Sequence, residues 1–251
     1  MSKAWGPQRV DRIGESHDRG SERAHRVAPS SDLEKPGLLM RFRSVDLHDA
    51  AMQPRRGLKP RDHKSGRAAV LALDIISDFA FPDGPRVRRA LQARAPAIRQ
   101  LLARARSHRV PVIYVNDNVG PWRSDSAALM ARCVEPARAG AQLVRSLLPA
   151  ERDSIILKPR HSAFFGTPMV ALLDDLDADT LVLLGVSAES CVWMTACDAH
   201  TRGIGLIVPV DTMAGASARA LRATVKSLRE VLGARTPARA ASVRLGNARI
   251  V

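Results

Sequence analysis

Three residues of unlike chemistry stand at or just beyond the ends of three apolar runs. Asp74 closes AAVLALD, Lys158 closes SIILK, and Cys191 follows LVLLGVSAES. A cysteine that attacks carbon needs a base for its proton and a cation to hold the thiolate. Asp74 supplies a carboxylate that can accept the proton and later return it to a leaving amine. Lys158 supplies the positive charge. The backbone N–H of Cys191, with one from the Val186-Ser187-Ala188 turn, can receive a tetrahedral oxyanion. Together these groups imply acyl transfer to sulfur followed by hydrolysis of the thioester. Each also has a plainer role open to it: Cys191 as a small buried hydrophobe, Asp74 as a turn or cap residue, Lys158 as a solvated strand-end charge.

The surrounding pattern decides where these residues stand. Short apolar runs at Ala68–Asp74, Val110–Val115, Ser154–Leu157, Leu181–Leu184 and Ile204–Val210 read as strands, and Ala241–Leu245 as a candidate sixth. Helical patterns fall between them. One runs from about Arg86 to His108, with Pro96 expected to kink or break it. Others run from Ala137 to Leu148, from Thr167 as N-cap into Pro168 and on to Leu173, from Cys191 to His200, and from Ser217 to about Leu232. Strand and helix alternate throughout. That alternation predicts an α/β chain, a three-layer α/β/α sandwich on a mostly parallel central sheet of five or six strands. Ligands of such sheets bind outside the carboxyl ends of the strands, where Asp74, Lys158 and Cys191 are all placed. A cysteine in the first turn of a helix is also expected to favour the thiolate, because free N–H groups and the helix dipole face it.

Composition narrows the class. The chain has 251 residues, a net charge of +14 and three cysteines without metal-ligand or CxxC spacing. A disulfide framework is not expected, and a reducing, cytoplasmic compartment is. No apolar run approaches the roughly 18 residues of a membrane span, so no membrane partner is expected. Residues 1–66 carry fourteen Lys/Arg against nine Asp/Glu, and residues 217–251 carry eight against one. Between them, 67–216 carries only two excess positive charges. The basicity therefore belongs to the ends. No basic patch interleaved with a series of aromatics accompanies the charge, so nucleic acid is not expected as a partner. Residues 1–66 lack apolar periodicity and read as a disordered or loosely packed basic extension, leaving 67–251 as the functional domain.

LALDIISDF, LKPRHSAFFGT and LLGVSAESCVWMTACDAHTRG, taken in order and spacing, resemble the isochorismatase-like cysteine hydrolase family over roughly Ala68 to Ala214. The resemblance implies an Asp74, Lys158, Cys191 triad acting mostly on amides or carbamoyl groups, with no cofactor and no metal. It also implies a cis peptide between Val186 and Ser187 that turns a backbone N–H into the oxyanion hole, formed by Ser187 and Cys191. A small-molecule substrate and a homo-oligomer are expected on the same ground. Phe79, Asn118, Trp122 and His161 lie on the same loops and are the candidate substrate-binding residues. Two departures stand out. Ile76 occupies the place of a glutamine usual two residues after the Asp. Asp117-Asn118-Val119 stands where the nicotinamidase branch has a metal-binding Asp-x-His, and no histidine lies between His108 and His161. Nicotinamide and a two-histidine metal site are accordingly disfavoured. Isochorismate is disfavoured too, since the members of this fold that hydrolyse it lack the nucleophilic cysteine.

Two readings from other classes remain. One is a catalytically inactive binding or regulatory protein on the same scaffold, with basic termini contacting nucleic acid or a partner. The other is a thiol redox protein pairing Cys191 with Cys197, six residues apart on one helix and badly placed for a disulfide.

Overall fold

Strand β1 (Ala68–Leu73) is buried on both faces along its whole length. A run of six apolar residues with no polar alternation suits only the middle of a covered parallel sheet. In the computed structural model, which describes residues 67–118, 125–246 and 249–250, β1 holds that place. The sheet also contains β2 (Val112–Asp117), β3 (Ser154–Lys158), β4 (Thr180–Gly185) and β5 (Gly205–Ile207). Its order is β3-β2-β1-β4-β5, and every pair is parallel. The expected basic extension at 1–66 lies outside the described residues.

Side chains alternate across the sheet and divide the core in two. Ala68, Val70 and Ala72 of β1 join one cluster, in which helix α1 (Gly84–Ser107) contributes Leu91, Ile98, Leu101 and Leu102. Helix α2 (Ser126–Cys133) contributes Leu129 and Cys133 to it, and α3 (Ala141–Arg145) contributes Val144. Ala69, Leu71 and Leu73 join the other cluster. There they meet Met169 and Leu173 of α4 (Met169–Asp175), Ala196 and Ala199 of α5 (Trp193–Thr201), and Leu221 and Leu228 of α6 (Ala218–Glu230). This is the expected three-layer sandwich, with five strands rather than six.

The differences from the sequence pattern have local causes. Helix α1 continues unbroken through Pro96, which lies on its exposed side, where water can take the carbonyl left without a donor. Helix α2 went unforeseen beyond the polar loop; Asp125 caps it by accepting from the Ala128 N–H at 2.7 Å. The helix expected over Ala137–Leu148 shrinks to the five residues of α3. The cap of α4 falls one residue later than expected, at Pro168, while Thr167 still accepts from the Met169 N–H at 3.3 Å. Strand β5 ends at Ile207, because Pro209 has no N–H to offer a neighbour and the chain turns into a 3₁₀ turn, Val210–Thr212. The candidate sixth strand is instead a 3₁₀ turn, Ala240–Ser242, followed by the two-stranded ribbon β6 (Leu245–Gly246) and β7 (Arg249–Ile250). Arg104 of α1 ties this tail down by donating to the carbonyls of Ala240, Ala241 and Val243.

At the carboxyl edge the two central strands approach each other closely. Gly185 ends β4 at φ +123°, and a Cβ there would lie 2.0 Å from the Leu73 carbonyl oxygen. The adjacent Val186 N–H donates to that same oxygen at 3.0 Å. Gly185→Ala will therefore combine backbone strain with a collision and lower stability by about 2–4 kcal/mol. Gly233 is left-handed too, at φ +62°, but has open space around it. Gly233→Ala will cost only about 1 kcal/mol. Urea unfolding midpoints of the two variants check the contrast.

Candidate active site

The strand order sets the geometry of the site. Asp74 emerges from the central strand, Cys191 follows the strand on one side of it, and Lys158 ends the edge strand two places away on the other. Asp74 turns out of β1 in the left-handed region, at φ +51°, which Asp tolerates better than most residues. Its N–H donates to the Val115 carbonyl at 2.9 Å, and its Oδ1 accepts from the Asp117 N–H at 2.8 Å. Lys158 is paired in register with Asp117, the last residue of β2. Its side chain is 0% exposed and reaches over β2 toward the sheet centre. The ammonium lies 2.9 Å from Asp74 Oδ2 as a charge contact, donates to Asp117 Oδ1, and donates to Cys191 Sγ at 3.6 Å. The Asp, Lys and Cys are thus brought together as expected.

Cys191 is carried differently from the sequence expectation. It does not open an α-helix; it lies within a π-helical turn, Ala188–Val192, and α5 begins only at Trp193. Ser187 O accepts from Ser190 N–H at 3.1 Å and from Val192 N–H at 3.2 Å, so the turn widens by one residue around the sulfur. Ala188 N–H donates to Ala214 O at 2.8 Å, and Glu189 Oε1 accepts from Ala216 N–H at 2.7 Å, pinning the turn to the segment after β5. The Val186–Ser187 peptide is cis, as the resemblance implies. The Ser187 N–H has no partner among the described residues and is open to an acceptor.

Electrostatics follow from the burial. Desolvation is the largest influence on Asp74 and pushes its carboxyl above the usual range; Lys158 opposes the shift and Asp117 adds to it. Cys191 is likewise pushed well above an ordinary thiol, first by burial and then by the Asp74 charge, with Lys158 pulling the other way. Burial alone would discharge Lys158, but Asp74, Cys191 and Asp117 outweigh it and hold the ammonium charged. Burial and the Asp74 charge therefore favour the thiol form of this sulfur, against the thiolate that a helix N-terminus would favour. Cys191 Sγ and the carboxylate oxygens of Asp74 and Asp117 lie within 4.8 Å of one another, a group of donors that could hold a metal ion. The Lys158 ammonium stands among these same atoms, so the chain carries its own cation there.

The remaining candidates divide. His161 joins the site: its Nδ1 is 3.3 Å from Ser190 Oγ and 4.0 Å from Cys191 Sγ. It also lines an open concavity of about 330 Å³ with Arg160, Phe165, Met194 and Cys197. Asn118 sits beside Lys158, donating its N–H to the Lys158 carbonyl at 2.9 Å, and its buried Oδ1 has no partner among the described residues. Trp122 lies outside the described residues. Phe79 belongs to the core instead: it is buried on the α1 side against Gly140, where an added Cβ would stand 2.4 Å from its ring. Its loop neighbours suggested a pocket wall, but burial of a large apolar ring prevailed. Ile76 is also buried there, while its carbonyl accepts from Asn116 Nδ2 at 2.7 Å. Asp117 and Glu189 are the residues that sequence reasoning passed over. Asp117 had been weighed only as part of a metal motif, although its place at a strand end was the same signal that singled out Asp74 and Lys158.

The upward shift of the thiol makes a measurable demand. In the free protein, alkylation of Cys191 by iodoacetamide, followed by peptide mass mapping, will show a pH midpoint above the roughly 8.5 of an ordinary thiol. Raising the pH through that shifted value exposes the thiolate; below it the sulfur stays protonated. A midpoint under 7 would contradict the buried-thiol geometry.

The isochorismatase domain model matches residues 68–239. An isochorismatase-family protein of Bacillus subtilis is 30% identical over 149 residues, which cover 59% of this chain and 81% of that protein. An N-carbamoylsarcosine amidase of an Arthrobacter species is 28% identical over 170 residues, 63% of each chain. Among solved structures, an isochorismatase-family protein from Desulfovibrio vulgaris superposes with a TM-score of 0.57 at 26% identity, covering 68% of this chain and 94% of that one. No helix among the described residues is long and apolar enough to cross a membrane. With the domain match spanning most of the chain and the Asp, Lys and Cys assembled at its sheet edge, this protein belongs to the isochorismatase family of hydrolases.

Proposed function

We propose that the protein is a cysteine amidohydrolase that cleaves a C–N bond of a small amide or carbamoyl compound through a thioester. The observation that carries this reading is the Cys191 sulfur, buried at 3.6 Å from the Lys158 ammonium with the Asp74 carboxylate on the same cation. The thiol proton passes to Asp74 as sulfur attacks the carbonyl carbon. Lys158 balances the negative charge that moves onto sulfur and then onto oxygen. The N–H groups of Ser187 and Cys191 receive the oxyanion. Collapse breaks the C–N bond, and Asp74 gives its proton to the leaving nitrogen. Water then attacks the thioester carbon, its proton going to Asp74 and from there back to sulfur as the C–S bond breaks.

The pushed-up carboxyl and thiol suit this cycle. A base that holds a proton more readily than free aspartate is a competent acid for the leaving amine. His161, 4.0 Å from the Cys191 sulfur, and Asn118, bonded through its N–H to the Lys158 carbonyl, are the substrate-holding residues of this reading. The amidase activity named for the Arthrobacter relative agrees with C–N cleavage. The inactive binding reading is the weaker one, because a fully buried lysine held between two carboxylates is costly to maintain without chemistry for it to serve.

A panel of small amides and carbamoyl compounds, assayed for released ammonia or amine, tests the reading. Cys191→Ala will keep the fold and lose at least about four orders of magnitude in kcat/KM on any compound turned over. Rapid-quench intact mass will show an acyl adduct on the wild type and none on the variant. Full turnover by Cys191→Ala would overturn the proposal.

A further inference from the structure

Three charged side chains meet at the site, and they differ in exposure. Lys158 is 0% exposed, Asp74 15% and Asp117 48%. Asp117 makes two separate contributions. Its main-chain N–H fixes Asp74 Oδ1 at 2.8 Å, and its carboxylate accepts from the Lys158 ammonium. The first survives any substitution that keeps the strand; the second belongs to the side chain alone. One buried cation is consequently divided between two carboxylates and a sulfur, and the sulfur is the most distant of the three, at 3.6 Å.

We propose that Asp117 is a positioning residue acting through Lys158: its carboxylate draws the ammonium toward the β2 side of the site and withholds part of that charge from the Cys191 sulfur. The charged and titratable groups around the sulfur come from every neighbouring element. They are Asp74 after β1, Asp117 ending β2, Lys158 ending β3, and His161 on the loop beyond it. Asp117 is the most exposed of the first three, so it is the member whose hold on the cation an incoming substrate can alter by offering N–H donors to its free oxygen. Neutralising it leaves Lys158 paired with Asp74 and turns more of the ammonium field onto sulfur. The Asp117 charge also presses directly against ionisation of Asp74 and Cys191, so both consequences of its removal have the same sign.

The proposal rests on Cys191 being the reacting sulfur, but it is tested on that sulfur without any substrate, so its failure and that of the hydrolase reading remain distinguishable. Full-length wild type, Asp117→Asn, Asp117→Ala and Asp117→Glu are alkylated with iodoacetamide across pH, and each cysteine is followed by peptide mass mapping. Asn and Ala will both move the Cys191 profile about one unit lower, which makes it roughly tenfold faster at neutral pH. Glu will restore the wild-type profile. Cys197, partly exposed on α5, will keep the same profile in every variant and reports that the fold is intact. An unchanged or upward-shifted Cys191 profile in Asn, with Cys197 unaltered, overturns the proposal. So does a shift in Ala that is absent in Asn, since that would be loss of packing and not of charge. Should Asn fail to fold, the Ala and Glu pair decides the matter by the same criteria.

Discussion

A lysine ammonium with no access to solvent is the constraint on which the carboxyl edge of this sheet depends. Removing such a charge from water costs several kcal/mol even after relaxation, and only close, well-placed anions offset it. Here the anions arrive from different strands: Asp74 from the centre of the sheet and Asp117 from the strand between it and Lys158. The left-handed turn at Asp74, the glycine at the end of β4 and the main-chain bond from Asp117 to Asp74 all hold these partners in place. A parallel sheet suits this arrangement, because every strand ends at the same edge with the same polarity. Three neighbouring carboxyl ends can thereby converge on one atom without a loop having to place any of them.

The same burial sets the surroundings of the Cys191 sulfur. An exposed cysteine at a helix N-terminus would be kept as thiolate and be open to any electrophile in solution. Cys191 is instead 7% exposed, held in a π turn next to a carboxylate. Burial and the neighbouring Asp74 charge both favour its thiol form. The lysine opposes the desolvation of Asp74 and so favours a carboxylate in a buried site. The wide π turn carries the sulfur, and Glu189 anchors that turn from behind.

Much of the fold was legible in the sequence because it rests on local, repetitive signals. AAVLAL and LVLL, short apolar runs closed by a polar residue or a glycine, read as covered strands, and α1 and α6 carry apolar faces at helical spacing. Boundaries were less legible where one residue's hydrogen bonding decided them. Asp125 starting α2 and Pro209 ending β5 are such cases. Phe79 shows the limit of reasoning from loop membership. A residue can share a loop with a site and still point its ring into the core on the opposite side of the sheet.

By itself, the sequence determined the reactive types and their positions at strand ends: an Asp, a Lys and a Cys whose order and spacing resemble one hydrolase family. That information is local, carried by short apolar runs and the polar residue that closes each. Only the tertiary structure decided that Asp117 stands as a second anion on Lys158, that His161 reaches the sulfur, and that burial pushes the thiol upward. These depend on strand order, on the depth of burial and on a π turn. Strand order comes from which helices cover which face, burial from the whole core, and the turn from hydrogen bonds to a segment more than twenty residues away. No one stretch of the chain contains them.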